Sequence, residues 1–183
     1  MKKIIFFFLT AVVIAGVTSS CKKITETIFQ GMDVTGPQVQ VTIPAIITVT
    51  SNEFPLGSFS MHFNLDSILK ANTAGVFGVN SVNSIKVKQI SISIDNADQL
   101  NNLSNFESAR ITLQSSMDNN PAELFSIAFP DTYASSFTST PVNSPELLPY
   151  LKASDITYNI FGKMRRITTK PLSITISVIF RVS

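Results

Sequence analysis

The stretch Leu172–Val182, LSITISVIFRV, decides the fold. Leu172, Ile174, Ile176, Val178, Phe180 and Val182 alternate with Ser173, Thr175, Ser177, Ile179 and Arg181. This period of two turns one row of side chains towards a core and the other outward. β-Branched residues dominate and neither Gly nor Pro interrupts, so the stretch predicts a β-strand covered on one side, as in an antiparallel sheet.

The same period recurs upstream at short intervals. Ile156, Tyr158 and Ile160 share one face, after which Gly162-Lys163 reads as a turn flanked by Arg165 and Arg166. Ser144-Pro145-Glu146 before Leu147-Leu148 reads as a helix start with Ser144 as its cap, and Pro149 keeps that helix short. Ala109, Ile111 and Leu113 mark one strand and Leu124 to Phe129 another, which Pro121 precedes. The polar run Asn96 to Asn105 turns the chain before them. From Ile85 to Asp95 the parity changes: Ile85 and Val87 lie on one face, Ile90, Ile92 and Ile94 on the other, which predicts a bulge near Lys88 or Gln89. Phe59, Met61, Phe63 and Leu65 form a half-buried strand that leads into a short helix near Ser67 to Ala71, capped by Asn64 or Asp66. In Gln38 to Thr50, Val39, Val41, Ile43, Ala45, Ile47 and Val49 all fall on odd positions, interrupted by Pro44. A proline lacks the ladder N–H, so this strand is expected at a sheet edge or broken at Pro44 where the chain changes sheets.

About seven strands at this spacing, with Ser and Thr outward and only short helices between, predict an all-β antiparallel two-sheet sandwich of immunoglobulin-like size over residues 38–183. A closed β-barrel is the alternative.

The chain opens differently. Met1-Lys2-Lys3 is basic, Ile4 to Val17 is apolar, and Thr18-Ser19-Ser20 are small residues before Cys21, the one cysteine. These 21 residues resemble a bacterial lipoprotein signal with the relaxed cleavage box of Bacteroidetes, Thr18 standing where Leu is commonest. The resemblance implies a signal peptide at residues 1–20, a lipid on Cys21 and a membrane anchor, each buried methylene adding about 0.8 kcal/mol. Residues 21–37, polar and carrying Gly31 and Gly36, then read as a tether. No Asp follows Cys21, which by the same resemblance favours the outer membrane. The sparse acids after it favour the periplasmic face over the cell surface.

Composition narrows the partners. Of 14 Lys and Arg, Lys2 and Lys3 fall within the signal, and the rest balance the 12 acids. A nucleic-acid partner needs a basic surplus, so none is expected despite the sequence pI of 8.7. The mean hydropathy of +0.27 is likewise raised by the apolar signal.

No catalytic or metal set emerges. His62 is the single histidine and its parity puts it on the solvated face of its strand, so a serine-type mechanism has no base, and no G-x-S-x-G motif is present. Zinc lacks ligands; Asp95, Asn96 and Asp98 have oxygens for calcium but lack the EF-hand spacing. No cofactor is expected. Phe129 and Phe137, in a Ser/Thr-rich loop, are candidates for an exposed apolar contact. Lys163, Arg165 and Arg166, with Lys170, form a basic cluster suited to an anionic headgroup or an acidic partner. Flat aromatics that would stack on sugars are limited to Tyr133, Tyr150 and Tyr158, and no Trp is present. Asp66-Ser67-Ile68 is similar to the O-glycosylation sequence of exported Bacteroidetes proteins.

The sequence thus predicts a non-enzymatic envelope lipoprotein, a protein-binding or accessory module of an outer-membrane assembly whose partner is an envelope protein. A surface ligand-binding or adhesive module for glycan or host protein is the alternative, and a hydrolase using scattered carboxylates comes third.

Overall fold

The structure, a computed structural model, describes residues 31–49 and 51–183. The expected signal peptide, Cys21 and the first part of the tether lie outside the described residues. Asp33–Val182 form one unit. Its strands are β1 (Met32–Thr35), β2 (Val39–Ile43), β3 (Phe54–His62), β4 (Ile85–Ile94), β5 (Phe106–Ser115), β6 (Ala122–Ala128), β7 (Ser136–Ser139), β8 (Asp155–Met164) and β9 (Leu172–Val182), with short helices α1 (Leu65–Asn72) and α2 (Leu148–Leu151).

One sheet runs β7, β4, β9, with β1 and β2 both beside β9; the other runs β3, β8, β5, β6. The ladders β2–β9, β4–β9, β4–β7, β3–β8, β5–β8 and β5–β6 are all antiparallel. β1 and β2 act as one edge strand broken at Gly36-Pro37, where the Gly36 N–H donates to Val178 O at 2.8 Å. A Cβ on Gly36 would stand 2.8 Å from the buried Phe180 ring, so a residue without a side chain lets the edge close over it. Counting β1 and β2 once leaves eight strands. The first, third, sixth and eighth form one sheet and the second, fourth, fifth and seventh the other, which is the strand order of a jelly roll. Each sheet keeps two edges, so the fold is a sandwich and the barrel alternative falls.

The core lies between the sheets. Ile92, Ile94, Ile174, Ile176 and Val178 from one sheet face Ile111, Leu113, Ile156 and Ile160 from the other, all buried. At roughly 1.5–3 kcal/mol per buried aliphatic side chain, these rows supply most of the driving force for folding. An apolar gap of about 30 Å³ remains between Val41, Ile43, Ile111, Phe129 and Ile174; its lining offers a water no polar partner, which favours a dry gap.

The expected bulge is present, with the β4–β9 register shifting between Val87 and Gln89. Asn64 is the α1 cap, its side chain accepting from the Ser67 N–H at 2.9 Å. The break expected at Pro44 is present: the strand begun in Gln38 to Thr50 ends at Ile43, and the next strand lies in the other sheet. Several boundaries differ from expectation. The tether expected to reach residue 37 gives way to a strand at Met32, because β9 has an open edge that four more residues can pair. Gly162-Lys163 is no turn: β8 continues through both, Gly162 pairing with Phe54 and Ala109, so that the bend comes at Arg165 and Arg166. Ser144 caps no helix. Its hydroxyl accepts from the Val87 N–H at the β4 bulge, and α2 begins later, at Leu148. Glu146 does serve the helix start, accepting from Leu148 N–H at 3.1 Å, and it also takes the Ile85 N–H at 2.7 Å. Strand β7, four residues of Ser, Phe and Thr, has too little apolar pattern to be read from sequence; its partner β4 creates it.

Candidate functional site

The ladder registers place four loops at one end of the sandwich: residues 44–53, 95–105, 129–135 and 165–171. They are built on three buried asparagines. Asn105 donates to Leu100 O at 2.9 Å and Ile167 O at 2.7 Å, and its own carbonyl accepts from the Asn102 N–H at 2.9 Å. Asn102 reciprocates by accepting from the Ser104 N–H, closing a capping box around a single 3₁₀ turn. Asn101 reaches across to the last loop, accepting from the Thr169 N–H at 2.7 Å. Thr168, also buried, ties in the first loop: its N–H donates to Ile46 O at 2.9 Å and its hydroxyl accepts from the Ile46 N–H at 2.8 Å.

Arg165 completes the platform. Its guanidinium donates to Ser104 O at 2.9 Å, Phe106 O at 3.0 Å and Phe129 O at 2.8 Å, satisfying carbonyls that strand ends leave over. Leu103 N–H joins the third loop through Ala134 O at 2.8 Å.

On this hydrogen-bonded base stand five exposed large apolar side chains: Ile47 at 82 % exposure, Leu100 at 68 %, Tyr133 at 50 %, Ile167 at 48 % and Val49 at 47 %. The bonds above make several of them neighbours. Ile47 follows the residue paired with Thr168, Ile167 precedes Thr168, and one Asn105 amide holds the Leu100 and Ile167 carbonyls. The result is an apolar group on a fixed support, which a chain keeps at a cost in solubility.

The expected site residues fall as follows. The basic cluster lies at this end, and each member faces an acid. Lys163 pairs with Glu107 at 2.7 Å, Lys170 with Asp98 at 2.6 Å, Arg166 with Asp131, and Arg165 lies 3.9 Å from Asp131. Lys170 beside it, together with Asn101, holds the Asp98 carboxyl well below its ordinary value, down to about 2. Phe129 and Phe137 are not an exposed pair in a loop: Phe129 is buried behind β6, Phe137 is half-buried in β7, and their rings meet edge to face at 5.7 Å. They pack because β7 brings the loop back over the core. Asp95 accepts from the Thr175 hydroxyl at 2.9 Å, so it serves the β4–β9 corner. His62 is exposed as expected, its Nδ1 3.2 Å from Asp155. Ser67 is exposed in the first turn of α1. Among the described residues no cluster of His, Cys, Asp and Glu is arranged to hold a metal, and no helix is long and apolar enough to cross a membrane.

Sequence reasoning missed the apolar group. Ile47 and Val49 continue the odd-position pattern of Gln38 to Thr50, which reads as core; Pro44 was the signal that the pattern changes meaning there. Leu100 and Ile167 are single apolar residues in polar runs, visible only when the loops are brought together.

No protein-family model and no curated protein matches the chain. Among solved structures it is similar to the decameric BFDV capsid protein, at 11% identity and a TM-score of 0.33 over 84% of this chain and 98% of that one. It is also similar to a structure of the Gx strain of infectious bursal disease virus, at 11% identity and a TM-score of 0.32, over 84% of this chain and 32% of that one.

Proposed function

We propose that the chain is a non-enzymatic envelope lipoprotein, anchored through a lipid on Cys21 at the periplasmic face of the outer membrane, that docks an envelope protein through its loop end. The observation that carries the reading is the exposed group Ile47, Leu100, Ile167 and Tyr133 on a support of buried asparagines. A rigid base is what makes such a surface useful for binding, because ordering the loops then adds little to the cost of association. Apolar residues and Tyr at the centre with paired charges around them match the composition of a protein interface. The neutralised state of Arg166 and Lys170 disfavours an anionic membrane as the occupant.

The position of the loop end suits an anchored protein. The chain enters β1 at the other end of the sandwich, where Asp33 pairs with Lys88 and Arg181. The test is fractionation and protease treatment of cells carrying the wild type and Cys21→Ala. The reading expects wild type in the outer-membrane fraction, protected until lysis, and the variant released as soluble protein. A wild type that is soluble, or cut on intact cells, contradicts it.

A further inference from the structure

A second surface lies at the opposite end, a cleft of about 490 Å³ between the ends of β3 and β8 and the β5–β6 loop. This is within the roughly 300–1,000 Å³ range of small-ligand clefts. Ser60, His62, Thr157 and Asp155 line one side, Gln114 and Asn119 the other.

The chemistry of the wall selects the ligand. It holds no Lys or Arg, so an anion finds no fixed counter-charge, and its apolar residues are only Met61 and Ile156, too few to cover a lipid tail. Its one carboxylate, Asp155, is already met by His62. What remains is a dense mixture of hydroxyl, amide, imidazole and carboxylate groups. Part of it is held in place: Ser60 and Thr157 share a hydrogen bond at 2.8 Å, and Gln114 donates to Asn119 O at 2.9 Å while accepting from Asn159 at 3.1 Å. Because a carboxylate only accepts, His62 Nδ1 is the donor in its contact with Asp155, which leaves Nε2 for a ligand. Asp155 keeps further lone pairs, and the exposed Asn119 adds an amide that can donate and accept. Ligand hydroxyls, which donate and accept at once, match this set.

We infer that this cleft binds a neutral polyhydroxylated ligand, a saccharide, through its hydroxyl edges. Without a stacking platform the affinity is modest, in the millimolar to high-micromolar range. The site is independent of the loop end and of its partner.

The test is calorimetric titration of the full-length protein in detergent micelles with neutral trisaccharides of glucose, galactose, mannose and N-acetylglucosamine. A trigalacturonate and a neutral Ser/Gly peptide are the comparison arms. The inference expects saturable binding of at least one neutral trisaccharide, weakened about tenfold or more by Asp155→Ala and by Asn119→Ala and unchanged by Leu100→Ser. Both cleft residues are exposed, and an unaltered unfolding midpoint shows that the variants remain folded. Binding of none of the neutral sugars overturns it, as does binding of the peptide or the acidic sugar alone, or binding that both cleft variants leave intact.

Discussion

The two ends of the sandwich solve the same problem in opposite ways. At both, strands stop and leave backbone groups to be satisfied. At the loop end side chains do this: the buried Asn101, Asn102, Asn105 and Thr168 and the half-buried Arg165 bond to main chain in three or four loops. At the other end α1 and α2 satisfy much of their own backbone, and His62, Asp155 and Asn119 of the cleft are exposed. Polar groups at the loop end are thus structural and its apolar groups exposed. At the cleft end some polar groups are likewise spent on main chain, Ser144, Glu146 and Ser115 among them, while His62, Asp155 and Asn119 are exposed to a ligand. Residue type alone is a poor guide to role; the partner of each polar atom decides it.

Substitutions sharpen this contrast. The largest effect is expected for Asn105→Ala, which removes two donors from part-buried carbonyls and an acceptor from the buried Asn102 N–H; at about 1–3 kcal/mol for the buried group and about 0.5–1.5 kcal/mol for each of the other bonds, a loss of roughly 2–6 kcal/mol follows. Asn119→Ala, the same change on the exposed side of the cleft, should move stability by less than about 0.5 kcal/mol. Urea denaturation of both variants compares the ends directly, and equal losses would break the distinction. Arg165→Met, which keeps the aliphatic stem and drops four carbonyl contacts, should cost about 1–3 kcal/mol by the same measurement.

A smaller effect of opposite sign is expected in the core. The Tyr158 hydroxyl is buried and has no hydrogen-bond partner among the described residues, and burial pushes its phenol upward from the ordinary value. Tyr158→Phe should therefore raise the unfolding midpoint, by about 1 kcal/mol in stability. A drop would show that the hydroxyl is used.

The pH dependence gives the finest test. With Lys170 and Asn101 beside it, Asp98 titrates at about 2 when folded, against an ordinary value of 3.8. Its folded value is depressed, so its stabilisation is complete above pH 3.8 and is lost as pH falls through about 2. Asp98→Asn should flatten the decline of the denaturant midpoint across that window and leave the midpoint's pH dependence above it unchanged.

Much of the fold was legible because alternation survives wherever a strand has one face on the core: β9, the middle of β8 and the shifted parity of β4 all follow from sequence. Periodicity failed where pairing, with little burial, makes the strand. β7 exists because β4 offers an edge, and β1 because β9 does. It also failed past Pro44, where Ile47 and Val49 keep the spacing of a strand but have no sheet to face. The polar candidates were legible as residues and misread as roles. Arg165 reads as a surface charge, whereas the loops it joins, more than sixty residues apart in part, turn it into a carbonyl clamp. Phe129 and Phe137 read as loop aromatics until β7 places them on the core.

The central claim is that the loop end is the docking surface, and in-cell photo-crosslinking tests it most directly. A photoreactive residue placed at Leu100 should yield a discrete adduct with one envelope protein, and Ile47→Ser with Ile167→Ser should abolish it. The same probe at Val142, exposed at the opposite end, should give none. Equal adducts from both positions, or a Leu100 adduct that survives the paired substitutions or forms only with lipid, would contradict the account.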